Sequence, residues 1–370
     1  MSWSAADHQY MQQALTLAAR GRDITPPNPS VGCVLVRDGV VVGEGHSQPT
    51  GQAHAEVTAM RMAGELARGA TAYVTLEPCS HHGRTPPCAD ALIAAGVVRA
   101  VVALRDPNPL VAGQGLARLR AAGVEASHGL LAKEAAEHHR GFLSRMIRGR
   151  PWLRLKIATS LDGRTALQNG QSQWITGPAA RADVQKLRAR SSAMLTGIGT
   201  VLADDAQLTV RDFDIGRQPL RVVVDSLLRM PPNAKMLQTP GVLIATAYAE
   251  ERKHAELIAA GAELLVCPGD DGRVDLAALL AELGRHGCNE VTAEAGAQLN
   301  GALLRAALVD EIVLYQAPVL IGDPARGAAW LDLPDLADKQ TPVVRERRMV
   351  GDDLRWDLRF TDSALFVTQE

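Results

Sequence analysis

His54-Ala55-Glu56, Pro78-Cys79 and Cys88 are the residues of this chain whose types and order could do chemistry together. Two thiolates and one imidazole hold a zinc ion tetrahedrally and leave one position open for water. Zinc lowers that water's pKa, so hydroxide is available near neutral pH. A carboxylate beside the metal, but not on it, then carries a proton to a leaving amine. Glu56 follows His54 in the first turn of an expected helix and is placed for that task. The expectation is a zinc site made by His54, Cys79 and Cys88, with Glu56 as the catalytic acid and base.

The order matches the H-x-E…P-C-x-x-C pattern of zinc nucleobase deaminases, with one departure. Cys88 comes nine residues after Cys79, with SHHGRTPP between them. Two plainer readings compete. His54 could be structural beside two buried apolar thiols, or His81 or His82 could close a structural zinc site as fourth ligand. The joint occurrence of His-x-Glu and Pro-Cys, in deaminase order, favours the catalytic reading.

The second half offers weaker local signals. Gly197-Ile198-Gly199-Thr200 follows an apolar run and could let backbone approach a phosphate, though an ordinary tight turn fits as well. Glu294-Ala295-Gly296 ends an expected strand and opens a helix from Leu299, a place for a pyrophosphate at a helix N-terminus. The full G-x-G-x-x-G fingerprint is absent, so a Rossmann domain is not supported.

These groups need a scaffold. At 370 residues the chain suggests two domains. A formal net charge of −2 argues against gripping nucleic acid through bulk charge. No run of eighteen apolar residues exists. The start MSWSAADHQYMQQ shows no secretory pattern, and five sparse cysteines fit reduced thiols in a cytosol. Residues 4–20 read as a helix opened by Ser4 and Asp7. A hairpin around Asp38-Gly39 follows, then helix, strand, helix and strand, which favours a layered α/β domain. The helix ending near Met146 and the segment Ile147–Pro151 mark the expected boundary. Beyond it, apolar runs such as LRLKIATS, LRVVVD, GVLIATA and DEIVLYQAPVL alternate with helical stretches.

The chain resembles the bifunctional riboflavin-biosynthesis deaminase–reductase family. TLEPCSHHGRTPPC carries the stretched zinc motif of that family, and NPSVGCVLV, GEGH, AHAEVTAM and RDPNPLVAGQGL look like further blocks of it. KIATSLDGRTA, SQWITG and TGIGTVLADDAQLTVR resemble its reductase half. The resemblance implies a cytidine-deaminase-like three-layer zinc domain over residues 1–147. It also implies a dihydrofolate-reductase-like α/β domain over residues 148–370, with one zinc ion per chain and NADPH as cofactors. The implied chemistry is deamination of a diamino-ribosylamino-pyrimidinone 5′-phosphate, then reduction of the ribosyl group to ribityl.

By the same resemblance Asn28 would hold the base, unless it is only a Pro-flanked turn residue. His46 is a weaker candidate, and His81 and His82 would bind phosphate or be solvated. Ala158, Trp174, Thr200, Asp204, Ser226 and the turn Gly296, Ala297, Gln298, Leu299, Asn300, Gly301 and Ala302 match the cofactor positions. Ser172, Arg188, Leu208, Arg211 and Glu294 match substrate positions; among them Arg188 and Arg211 would suit the ribose phosphate through forked, charge-assisted bonds, unless Arg188 lies on a solvated helix face and Arg211 in a loop ion pair. Lys156 and Asp204 are candidates for moving protons while the sugar opens. The turn GAQLN departs from the family's G-x-T/S-L type, which leaves the side chain facing the NADP phosphates open. Small-molecule substrates, no nucleic acid, no membrane, a homo-oligomer and a cytoplasmic location complete the expectation. The competing functions are a cytidine- or tRNA-adenosine-type deaminase with an unrelated second half, and a zinc-stabilised binding module.

Overall fold

The computed structural model describes residues 3–80, 86–109, 111–248 and 250–360. The chain divides into two compact units, one reaching Gly149 and one starting at Arg150.

In the first unit, Ser4 caps helix α1 (Ala5–Gly21). The Ser4 hydroxyl accepts from the Asp7 backbone N–H at 3.0 Å, and the Asp7 carboxylate accepts from the Ser4 N–H at 2.9 Å. This capping box carries Asp where Glu or Gln is usual. The reason lies beyond the helix: the other Asp7 oxygen accepts from the Tyr73 hydroxyl at 2.8 Å and from Arg99 at 2.7 Å. Burial alone would raise the Asp7 carboxyl, but the Arg99 hydrogen bond and the cap hold it well below the usual aspartate range. The stabilisation is therefore complete above the unfolded aspartate pKa, about 3.9. It is lost as pH falls through the lower native value. Asp7→Ala should cost about 1.5–3 kcal/mol at pH 7, the worth of charged hydrogen bonds. Urea unfolding of the first unit at pH 7 and in strong acid checks this: the deficit against wild type should shrink in acid.

Strands β1 (Gly32–Arg37) and β2 (Val40–His46) form the expected hairpin. Asp38 and Gly39 both take left-handed φ, 52° and 77°, as a tight turn of this kind requires. Helix α2 (Ala55–Ala63), β3 (Thr71–Val74), α3 (Cys88–Ala94), β4 (Arg99–Val102), α4 (Gln114–Ala121), β5 (Glu125–His128) and α5 (Ala132–Arg148) complete the unit. The sheet order is β2-β1-β3-β4-β5, with β3, β4 and β5 parallel. Cys33 and Leu35 of β1, Ala72 and Val74 of β3, and Ala100 and Val102 of β4 pack under α2, α3 and α4. Helix α1 lies on the opposite face: a Cβ on Gly32 would sit 1.9 Å from the Ala14 carbonyl oxygen. The result is a three-layer α/β/α arrangement.

Two expectations need correction here. The run HAEVTAMRMAGELA reads as one helix, but α2 ends at Ala63 and continues as a short 3₁₀ turn, since Gly64 departs from helical φ. The expected linker from Ile147 is shorter, because α5 runs through Arg148 and stops where Gly149 takes φ 69°.

The second unit opens with β6 (Trp152–Thr159), β7 (Arg164–Leu167), α6 (Pro178–Arg190), β8 (Ala193–Gly197), α7 (Ile198–Asp204) and β9 (Leu220–Val224). It continues with β10 (Val242–Thr246), α8 (Glu251–Ala259), β11 (Ala262–Val266), α9 (Leu276–Arg285), β12 (Glu290–Ala293) and α10 (Ala297–Arg305). The last elements are β13 (Glu311–Gln316), β14 (Ala325–Gly327), β15 (Val343–Val350) and β16 (Asp353–Arg359). Nine strands form one sheet in the order β11-β10-β9-β8-β12-β6-β13-β16-β15, and β7 pairs with β14 apart from it. From β11 to β13 the strands are parallel, and β13, β16 and β15 are antiparallel. Alternation along β8 shows the layering. Ala193 and Leu195 face a core with Leu279, Leu283 and Leu303 of α9 and α10, while Met194 faces one with Val201 and Leu257.

Candidate active sites

In the first unit the sheet brings the three expected zinc ligands together. His54 is the N-cap of α2, Cys88 is the first residue of α3, and Cys79 ends the turn after β3. The His54 Nδ1 lies 3.3 Å from the Cys88 Sγ and 3.6 Å from the Cys79 Sγ. All three donor atoms fall within 4.8 Å of one another. An edge of a tetrahedron with ordinary zinc–nitrogen and zinc–sulfur bonds is about 3.5 Å, so the spacing fits the metal. Among the described residues no fourth donor joins the group. His81 and His82 lie outside the described residues.

Small residues set the position of α2. A Cβ on Gly45 would lie 2.2 Å from the Ala55 carbonyl oxygen, and one on Gly43 would lie 2.2 Å from that of Ala59. With alanine at 55, 59 and 63, the helix rests almost backbone on backbone against β2. That contact carries both His54 and Glu56 to the cluster.

Glu56 is 3% exposed. Burial pushes its carboxyl up, and the Cys79 thiolate adds to the push. The hydrogen bond from the Cys88 thiol holds Cys79 down, to about 4, and the same bond, with burial, pushes Cys88 up. The hydrogen bond to Cys79 raises His54, against burial.

Asn28 is exposed in a braced loop. Its N–H donates to Thr25 O, Arg145 donates to Pro27 O at 3.0 Å, and the Thr50 hydroxyl donates to Thr25 O at 2.9 Å. Asn28 makes no side-chain hydrogen bond to the cluster. His46 ends β2, with its Nδ1 3.0 Å from Ser47 O. Glu77, to which the sequence reading gave no role, is 4% exposed and accepts three backbone N–H groups, from Asp106, Gly113 and Leu116. An acidic residue inside the apolar run VTLEP, just before a ligand, was the available signal.

In the second unit a charged group gathers where β12 ends beside the middle of β6. Arg188 grips Glu294 with two bonds, of 2.7 and 3.0 Å, and donates a third to Thr209 O at 3.1 Å. Arg188 is therefore buried and paired with Glu294, not on a solvated face. Lys156 Nζ lies 4.0 Å from the same carboxylate. Burial would raise Glu294, but Arg188 and Lys156 overcome it and hold the group at about 2. Burial lowers Lys156, with Glu294 opposing. Exposed Arg211 is near enough to add its charge.

The other candidates spread around this group. Gly296 caps α10 with no side chain bonded to the first turn, and a Cβ there would meet nothing within 4 Å. Leu299 lies against Gly197, so the starts of α7 and α10, with Thr200 and Gly296–Leu299, are neighbours at the ends of adjacent strands β8 and β12. Asn300 and Gly301 face the chain instead: Asn300 donates to Ala295 O and Ala328 O, and Gly301 abuts Trp330 O. Leu208 is buried in the core at φ 55°. Trp174 is 68% exposed, under the Arg181 guanidinium at 4.6 Å, and is not core. Ser226 accepts from Val274 N–H at 3.1 Å at the end of β9. Ala158 lies opposite Tyr315 in the sheet, Ser172 is half-buried and Asp204 is exposed at the end of α7.

Two family models match this chain. The cytidine and deoxycytidylate deaminase zinc-binding region covers residues 4–104, and the RibD C-terminal domain covers residues 151–339. Riboflavin biosynthesis protein RibD of Escherichia coli (strain K12) is 52% identical over 362 residues, 94% of this chain and 98% of that one. Its counterpart in Haemophilus influenzae is 47% identical over 96% of this chain and 98% of that one. Among solved structures, RibD of Acinetobacter baumannii matches with a TM-score of 0.90 and 46% identity, over 96% of this chain and 99% of that one. A diaminohydroxyphosphoribosylaminopyrimidine deaminase/5-amino-6-(5-phosphoribosylamino)uracil reductase of Thermotoga maritima matches at 0.83 and 30% identity, over 96% and 98%. Because this likeness runs through the unit with the sulfur ligands and the unit with Glu294 alike, the chain belongs to the family of bifunctional riboflavin-biosynthesis deaminase–reductases.

Proposed function

We propose how the residues divide the work of the two activities. The chain hydrolytically deaminates 2,5-diamino-6-ribosylamino-4(3H)-pyrimidinone 5′-phosphate and reduces the ribosyl group of 5-amino-6-(5-phosphoribosylamino)uracil with NADPH. The observation that carries the residue roles is the tetrahedral spacing of three donors beside a buried carboxyl.

In the first unit His54, Cys79 and Cys88 hold zinc, which when bound lowers the pKa of the attacking water. Glu56 would accept a proton from water as the water oxygen attacks the ring carbon bearing the 2-amino group. The same carboxyl then gives the proton to the amine, the carbon–nitrogen bond breaks, and ammonia leaves. Its raised affinity for protons suits both directions of transfer. Asn28 holds the base from its braced loop.

In the second unit NADPH supplies the hydride. Residues Gly296–Leu299 and Thr200 lie where two helix starts meet at the carboxyl ends of parallel strands, a favourable place for its phosphates. Trp174 covers the nicotinamide side. Arg188 fixes Glu294, and Glu294 faces Lys156, so this pair moves the proton as the sugar ring opens. Arg211, exposed and near Glu294, takes the substrate phosphate. The deaminase role ends with the first unit and the reductase role begins at Arg150. A homo-oligomer is part of the proposal, supported by edge strand β15, exposed along nearly its whole length. A cytoplasmic location is also part of it; among the described residues no helix is long and apolar enough to cross a membrane.

Metal removal tests the division. Treatment with a chelator should abolish ammonia release, and zinc should restore it. NADPH oxidation with supplied deaminated intermediate should stay within about twofold of the untreated protein, since the metal belongs to the other step. A parallel loss of both activities would refute the assignment.

A further inference from the structure

We infer that Glu77 is a positioning residue for deamination, clamping the connection between β4 and α4 onto the turn that carries Cys79. The inference rests on the assignment of deamination to the His54–Cys79–Cys88 cluster.

The Glu77 carboxylate is buried and its two oxygens are divided among three backbone donors. One oxygen accepts from Asp106 N–H at 3.1 Å and Gly113 N–H at 2.9 Å, and the other from Leu116 N–H at 3.0 Å. Gly113 is the N-cap of α4 and has no side chain to cap it. Glu77 therefore caps α4 from the connection after β3 and, with the same group, ties down Asp106. The backbone repeats the join, since Glu77 N–H donates to Leu104 O at 2.9 Å.

Two further contacts bring the clamp to the metal-binding turn. Helix α4 presses on the residue before Cys79: a Cβ on Gly115 would lie 2.1 Å from the Pro78 carbonyl oxygen. Asp106 lies within electrostatic reach of Cys79, and its carboxylate accepts from Asn108 N–H at 2.8 Å, which closes the Asp106–Asn108 stretch into a turn. This stretch has no strand or helix of its own; besides its own turn bonds to Asn108 O, the Glu77 carboxylate holds it by the Asp106 N–H. A glutamine cannot substitute, because its amide offers one accepting oxygen and turns an N–H₂ toward a backbone N–H.

Loosening the clamp should leave the metal ligands intact and disorder one wall of the site. The test is steady-state deamination of the diaminopyrimidine nucleotide by full-length, zinc-loaded Glu77→Gln, with zinc content measured alongside. KM should rise about tenfold or more while kcat changes less than about threefold, because a wall displaced by an ångström misplaces the bound substrate. Zinc should stay at the wild-type level. Gly115→Ala, whose Cβ would press on both the Pro78 carbonyl and the Glu77 carboxylate, should raise KM in the same direction. A merely structural role would shrink the active, zinc-bearing fraction, which lowers kcat and leaves KM unmoved; that result overturns the inference, as does an unchanged KM with unchanged kcat. Wild-type protein that is zinc-loaded but releases no ammonia would overturn instead the reading of the cluster.

Discussion

Glu56→Gln should keep fold and zinc and lose ammonia release by about a hundred- to ten-thousand-fold, the usual worth of general acid–base catalysis. The substitution keeps shape and removes only the ability to take and return a proton. No metal ligand is altered, since the donor group consists of His54, Cys79 and Cys88. Burial and the neighbouring Cys79 thiolate push the Glu56 carboxyl up. A neutral amide in the same pocket therefore costs little in stability, which separates the catalytic loss from unfolding. The measurement pairs an ammonia assay with elemental analysis and with NADPH oxidation on supplied intermediate. Reduction should run near the wild-type rate. A folded, zinc-loaded variant that had also lost reduction would require one composite site in place of two.

Glu294→Ala should do the converse. Its carboxylate is the common partner of Arg188 and Lys156, and removal leaves two cations facing each other without a counter-ion. Truncating one member of a buried, hydrogen-bonded charge pair costs about 2–5 kcal/mol. Expressed fully in kcat/KM, that is a loss of about 30- to 5,000-fold. Lys156 is already lowered by burial and would fall further without Glu294, so the remaining activity should shift its pH dependence downward. Ammonia release should be untouched, and the deaminated intermediate should accumulate in the coupled reaction. Unchanged NADPH oxidation would remove Glu294 from the reductase site.

The donor set was legible in the sequence because each ligand sits at an element boundary that leaves a local mark: His54 before a helix, Cys79 after Pro78, Cys88 opening α3. The alternating α/β pattern was legible for the same reason, through apolar runs punctuated by Gly and Pro. What escaped lacked such marks. Strand β15 reads VVRERRMV and is exposed almost throughout, so no buried face imposes a period on it. Helix α4 and strand β5 follow the Gly- and Pro-rich connection and are short. The service of Arg188 to Glu294 spans 106 positions, and no local spacing reports a contact of that range. Glu77 was hidden in plain view, because its role depends on three backbone groups and not on any neighbouring side chain.

The backbone-on-backbone seat of α2 also decides which parts of the first unit can move. Most helices rest on side chains that change rotamer, and they can slide by small steps as those side chains hop. Here Gly43 and Gly45 leave no such cushion, and the carbonyls of Ala55 and Ala59 already fill the gap. Shifting α2 means peeling it from β2 altogether, a rare and cooperative opening. His54 and Glu56 are thus the still point of the unit on the timescale of a turnover, and the motions that admit substrate and release product fall to the loops around them.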